Sequence, residues 1–171
     1  MAWLVWVAMT VACWGVYGIF LHNGQTAMGD PVNGRYKAFL FVGVAYFLTA
    51  VLAPLALLMA RNADWALPGG GIGWSLVAGL VGAAGAFGVL LAFGAGGSPA
   101  SVMSLVFAGA PIVNAVVALS LHPPAGGLGA IRWPFFAGIV LAAFGAYLVM
   151  AYKPAPGPPP SAAAVETSEA G

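Results

Sequence analysis

The chain has 171 residues, of which 62% are hydrophobic and only 5% charged, with a formal net charge of +1. Soluble domains carry roughly 25% charged residues, so nine charges cannot clothe the surface of a soluble fold of this length. Five Lys and Arg scattered along the chain make no basic patch for nucleic acid, and a single Cys excludes an intrachain disulfide or a thiolate metal cage. The composition is that of an integral membrane protein.

The charges fall at Asp30, Arg35, Lys37, Arg61, Asp64, Arg132, Lys153, Glu166 and Glu169, and residues 65–131 carry none. About 20 apolar residues in a helix cross a bilayer core. Five segments reach that length and are predicted to span it: 2–21, 38–60, 72–94, 100–121 and 133–152. Their apolar runs are continuous rather than alternating, which selects helices over barrel strands. No acidic or basic side chain falls inside these predicted spans, which removes the usual buried carboxylate of a proton-coupled carrier.

The first span leads into a loop, 22–37, that is rich in turn formers: Asn23-Gly24, Gly29-Asp30-Pro31 and Asn33-Gly34. At its exit Tyr17, His22, Asn23 and Gln25 form the densest polar cluster. These groups either solvate a helix end or form a vestibule for a polar solute, with His22, Asn23 and Gln25 as the vestibule candidates. Pro54 in the second span frees a backbone carbonyl and favours a kink. The loop 61–71 closes on Pro68-Gly69-Gly70-Gly71.

The third span carries Ala78, Gly82 and Ala86 at four-residue spacing, and the fifth carries Gly138, Ala142 and Ala146. Small residues let helices approach closely in lipid, either within the chain or across a dimer face. Between the third and fourth spans, Ser98-Pro99 has the form of a helix start, Ser as cap and Pro in the first turn. Pro111 lies in the fourth span. Asn114 follows it by three residues, where its amide either bonds the freed carbonyl or faces a cavity. Trp3, Trp6, Trp65, Trp74 and Trp133 lie near predicted span ends, as an interfacial belt requires. After Lys153, a Pro- and Ala-rich segment, 153–171, reads as a disordered tail. The first apolar run is long for a signal peptide and lacks a basic start, so the first span is expected to be retained.

Alternating the loops places Arg61 and Arg132 on one side and Arg35, Lys37 and Lys153 on the other. Two against three sets no firm orientation. The bias is either simply weak or the mark of dual topology, in which copies insert both ways and pair antiparallel.

These features resemble the EamA-type branch of the drug/metabolite transporter superfamily. The resemblance is carried by Trp14-Gly15 in the first span and by Asp30-Pro31, Arg35 and Ala38 entering the second. Ala100 and Pro111 carry it in the fourth span, and Gly138 and Gly145 in the fifth. It covers residues 8–150, one five-helix repeat. Most members have two inverted repeats and ten helices, and they often carry a Glu just after the fourth helix, where this chain reads Leu121-His122-Pro123. The resemblance implies an antiparallel pair with a central cavity that moves small metabolites by alternating access.

The sequence thus predicts an all-α membrane protein, a five-helix transmembrane bundle with a disordered tail, located in a bacterial plasma membrane. The expected function is that of a transporter subunit for a small organic solute, working as a homodimer or paired half-transporter. Trp14, Tyr17, Tyr46, Ser104 and Asn114 are the expected cavity residues. No cofactor, metal, nucleic-acid partner or catalytic residue is expected, since nucleophile motifs, phosphate loops and paired carboxylates are missing. The rival class is a non-transporting scaffold or accessory subunit.

Overall fold

The computed structural model describes residues 1–154; the tail predicted for 153–171 lies outside the described residues from 155 onward. The fold is all-α, with no strand among the described residues. The helices are α1 (Trp3–Ala27), α2 (Gly34–Phe47), α3 (Ala53–Ala60), α4 (Gly69–Gly94), α5 (Pro99–Leu121) and α6 (Trp133–Ala151). A π-helical turn, Leu48–Leu52, joins α2 to α3 into one continuous helix, Gly34–Ala60. Counted so, five helices among the described residues are long and apolar enough to cross a membrane.

Two helices extend beyond the predicted spans. α1 runs to Ala27 rather than residue 21, so His22, Asn23 and Gln25 are helical. α2 begins at Gly34 rather than residue 38 and takes Arg35 and Lys37 into its first turn. Charged side chains therefore do ride on a spanning helix, at its end. The Asn23-Gly24 pair does not break α1, because the helix there is held against α2: a Cβ on Gly24 would lie 4.0 Å from the Ala38 Cβ.

The elements end for local reasons. Pro54 has no N–H to give the Ala50 carbonyl, and the backbone upstream widens into the π turn. Pro111, by contrast, sits inside an uninterrupted α5. α4 ends in a Schellman motif. Gly96 adopts a left-handed φ of +91°, the Gly97 N–H donates to Ala92 O at 2.9 Å, and the Gly96 N–H to Phe93 O at 3.0 Å. Ser98 then starts α5. Its Oγ accepts the Ser101 N–H at 3.3 Å and lies 3.0 Å from the Ser101 hydroxyl, with Pro99 as the first helical residue.

The chain forms two compact units. In the first, Met1–Val106, helices α1, α2 and α4 pack on one another. Their core is Leu21, Val89, Leu90, Phe93 and Met103, with Tyr17, Phe39, Val42, Val102 and Val106 against it. Gly18 lets Met103, at the start of α5, lie against α1: a Cβ there would stand 2.8 Å from Met103 Sδ. Phe39 and Tyr36 of α2 meet Phe87 of α4 at ring-centroid distances of 5.5 and 6.4 Å. The second unit begins at Phe107 and holds the rest of α5, a 3₁₀ turn (Leu128–Ala130) and α6. No residue described there is buried. Its ring contacts are local, between Phe135 and Phe136 and between Phe144 and Tyr147.

Candidate functional site

The end of the first unit where α1 finishes, α2 begins and α4 finishes holds a polar pocket of about 470 Å³. Its wall includes His22, Gln25 and Thr26 from α1, Asp30 and Pro31 from the connecting loop, Arg35 from α2, and Phe93, Gly94 and Gly96 from the end of α4.

Helical spacing explains which α1 residues reach it. With 3.6 residues per turn, Gly18, Leu21, His22 and Gln25 fall on one stripe, and Asn23 points to the far side. Gly18 and Leu21 are buried, His22 and Gln25 are half-buried, and Asn23 is exposed. The His22 ring meets the Phe93 ring edge-on, centroids 5.5 Å apart. Thr26 turns its hydroxyl inward to its own helix, donating to the carbonyls of His22 and Asn23.

The loop between α1 and α2 is built around Asp30. Its Oδ1 accepts the N–H groups of Val32 (3.0 Å) and Asn33 (2.8 Å), and its Oδ2 accepts Lys37 Nζ at 2.7 Å. The Lys37 ammonium, with the two backbone donors, holds this carboxyl at about 2, well below its ordinary value. The loop brings Gly34 so close to α1 that a Cβ on it would stand 2.9 Å from the Gln25 carbonyl oxygen. Arg35 follows and lays its side chain over Gly94. A Cβ on Gly94 would collide with Arg35 Nη1 and lie 3.0 Å from its Cδ. The guanidinium carbon also sits 5.0 Å from the Tyr36 ring centroid.

Three polar atoms around this pocket are buried without a hydrogen-bond partner: His22 Nδ1, Gln25 Oε1 and Arg35 Nε. A fourth, the Tyr17 hydroxyl, lies nearer the middle of α1. Buried polar atoms cost about 1–3 kcal/mol each unless water or a ligand meets them.

The structure therefore gathers His22 and Gln25 of the three vestibule candidates and leaves Asn23 outside. Asp30 and Arg35, which carry the family resemblance, and Phe93 join them, although none was among the site candidates. The signal for Arg35 was available: two turns of α2 separate it from Val42, a core neighbour, so it rides the packed face of that helix. Of the five expected cavity residues, Trp14, Tyr17, Tyr46 and Ser104 belong to the first unit and Asn114 to the second. Tyr17 is half-buried, meets the exposed Trp14 ring at a tilt with centroids 5.6 Å apart, and lines an apolar groove of about 520 Å³ between α1 and α2. Tyr46 is exposed. Ser104 is half-buried and donates to its own helix at Ala100 O, 2.6 Å. Asn114 belongs to the second unit and is exposed, bonding no freed carbonyl. Among the described residues no three His, Cys, Asp or Glu side chains cluster as metal ligands. No family model, curated protein or solved structure matches the chain.

Proposed function

We propose that this chain is half of a membrane transporter for a small organic solute, working in a bacterial plasma membrane as an antiparallel pair, with the polar pocket as its entry port. The observation that carries the reading is the trio of unpartnered buried atoms on His22, Gln25 and Arg35 around a pocket of small-molecule size. A membrane protein avoids such groups unless water or a ligand meets them. Support for pairing comes from α4. Its Gly79, Gly82 and Gly85 have nothing within 4 Å of a built Cβ, so this small-residue face is free for another helix. The resemblance to the drug/metabolite transporter superfamily supports the same reading and implies alternating access. Under it the chain is a carrier and not an enzyme.

The test is solute flux in vesicles holding the purified protein. Uptake or efflux of at least one solute from a broad metabolite panel is expected, reduced by His22→Ala and by Gln25→Ala. Absence of flux across the panel, with the protein folded and inserted, overturns the reading in favour of a scaffold or accessory subunit.

A further inference from the structure

We infer that the port formed by α1, α2 and α4 receives an oxyanion group, a carboxylate or phosphate, with Arg35 as its anchor. The inference rests on the reading of this pocket as a solute port and names the chemistry that enters it.

The argument is one of uncommitted charge. Among the described residues two charged ones line the pocket, Asp30 and Arg35. Asp30 is spent: both of its oxygens are occupied, and Lys37 neutralises it at 2.7 Å. Among the described residues Arg35 makes no ion pair; its guanidinium carbon lies 5.0 Å from the Tyr36 ring centroid, and its Nε is buried without an acceptor. A guanidinium has five N–H donors and no acceptor, so only an electron-rich group can satisfy it. Near the end of α4, Leu91 O accepts from Ala95, Ala92 O from Gly97, and Phe93 O from Gly96. The cation also stands in the first turn of α2, where the helix dipole adds positive potential. A planar oxyanion matches a guanidinium through two parallel hydrogen bonds, and the Phe93 ring supplies an apolar wall for the rest of a small molecule.

A free organic anion and a lipid headgroup share this chemistry, so the test separates them. The full-length protein is placed in nanodiscs of neutral phosphatidylcholine and titrated with benzoate, its neutral isostere benzamide, and inorganic phosphate. Benzoate is expected to bind at least about tenfold more tightly than benzamide, with the preference falling as salt rises. Arg35→Gln removes the preference, Arg35→Lys keeps part of it, and Arg61→Gln in the distant loop leaves it unchanged. The benzoate–benzamide comparison on the unaltered protein needs no variant to fold. If phosphatidylglycerol discs abolish benzoate binding, the inference holds and the oxyanion is a headgroup. Equal binding of benzoate and benzamide overturns it, as does failure of both benzoate and phosphate to bind in phosphatidylcholine. The two readings fail separately. Oxyanion binding without flux upholds the site and sinks transport. Flux of neutral or cationic solutes without oxyanion binding upholds transport and sinks the anion site.

Discussion

The two parts of α4, before and after Ala86, are both apolar and fare differently. From Ala86 to Phe93 the helix is bedded on α1 and α2, with Ala86, Val89, Leu90 and Phe93 buried. Before Ala86 it has no buried residue, and its glycines at 73, 79, 82 and 85 meet nothing. Hydrophobicity cannot explain the contrast, since lipid is as good a solvent for Leu as another helix is. What differs is shape. The packed part meets Gly18 and the aromatic pair Phe39 and Tyr36, surfaces that fit it. In this chain, close fit marks where helices join, and apolar character marks only that they lie in a bilayer.

The sharpest way to break the contrast is to hollow out the packed part. Leu90 is fully buried, and Leu90→Ala is expected to cost about 2–4 kcal/mol in reversible unfolding in micelles. Next comes Gly34→Ala, whose Cβ meets the rigid Gln25 carbonyl rather than a yielding side chain. It should cost about 1–3 kcal/mol by the same measurement and lower ligand binding by moving Arg35. Ser98→Ala removes the cap that turns the chain from α4 into α5. About 1 kcal/mol of stability should go, with faster hydrogen exchange at Ser101. Acid probes the loop beside the packed part. Because the Asp30 carboxyl is held at about 2, its ion pair contributes fully above the ordinary carboxylate range and is lost as pH falls through about 2. Exchange protection of the Val32 and Asn33 amides should fade over that window and be unchanged between pH 5 and 7. The smallest effect belongs to the open part. Within the single chain, Gly82→Ala should change stability by less than about 1 kcal/mol, in the stabilising direction, and under the proposed pairing it should weaken the dimer. A larger loss, together with a change in oligomeric state, would show that another helix already lies on this face.

Much of the architecture was legible in the sequence, and the reasons for the remainder are specific. The glycine- and proline-rich breaks at 94–99 and 123–127 separate helices as their composition requires, and Ser98 caps as its place before Pro99 implies. Asn23-Gly24 read as a turn because local preference was all the sequence offered. Packing of Gly24 on Ala38 overrode it and carried α1 on for six residues. Pro54 announced a disturbance, and the wide π turn upstream of it was one of several forms that could take. At the site, His22 and Gln25 were legible as polar groups near a span end. Asn23 fell away because one residue along a helix is a 100° rotation. Arg35 was read as a loop charge, since its place depends on Gly94, which is 59 residues distant in sequence.

The Met103–Gly18 contact also sets an order of assembly. A nascent chain delivers α1 and α2 first, and the α1 stripe of Gly18, Leu21, His22 and Gln25 lacks its α4 and α5 cover at that moment. Its cover arrives only with Val89, Leu90, Phe93 and finally Met103, the last buried residue of the core to be synthesised. The α1–α2 hairpin must therefore wait, polar groups exposed, while about 55 further residues emerge. A chain cut at Gly85 would retain α1 and α2 entire and more than half of α4, yet of the residues that form the core it would own Leu21 alone.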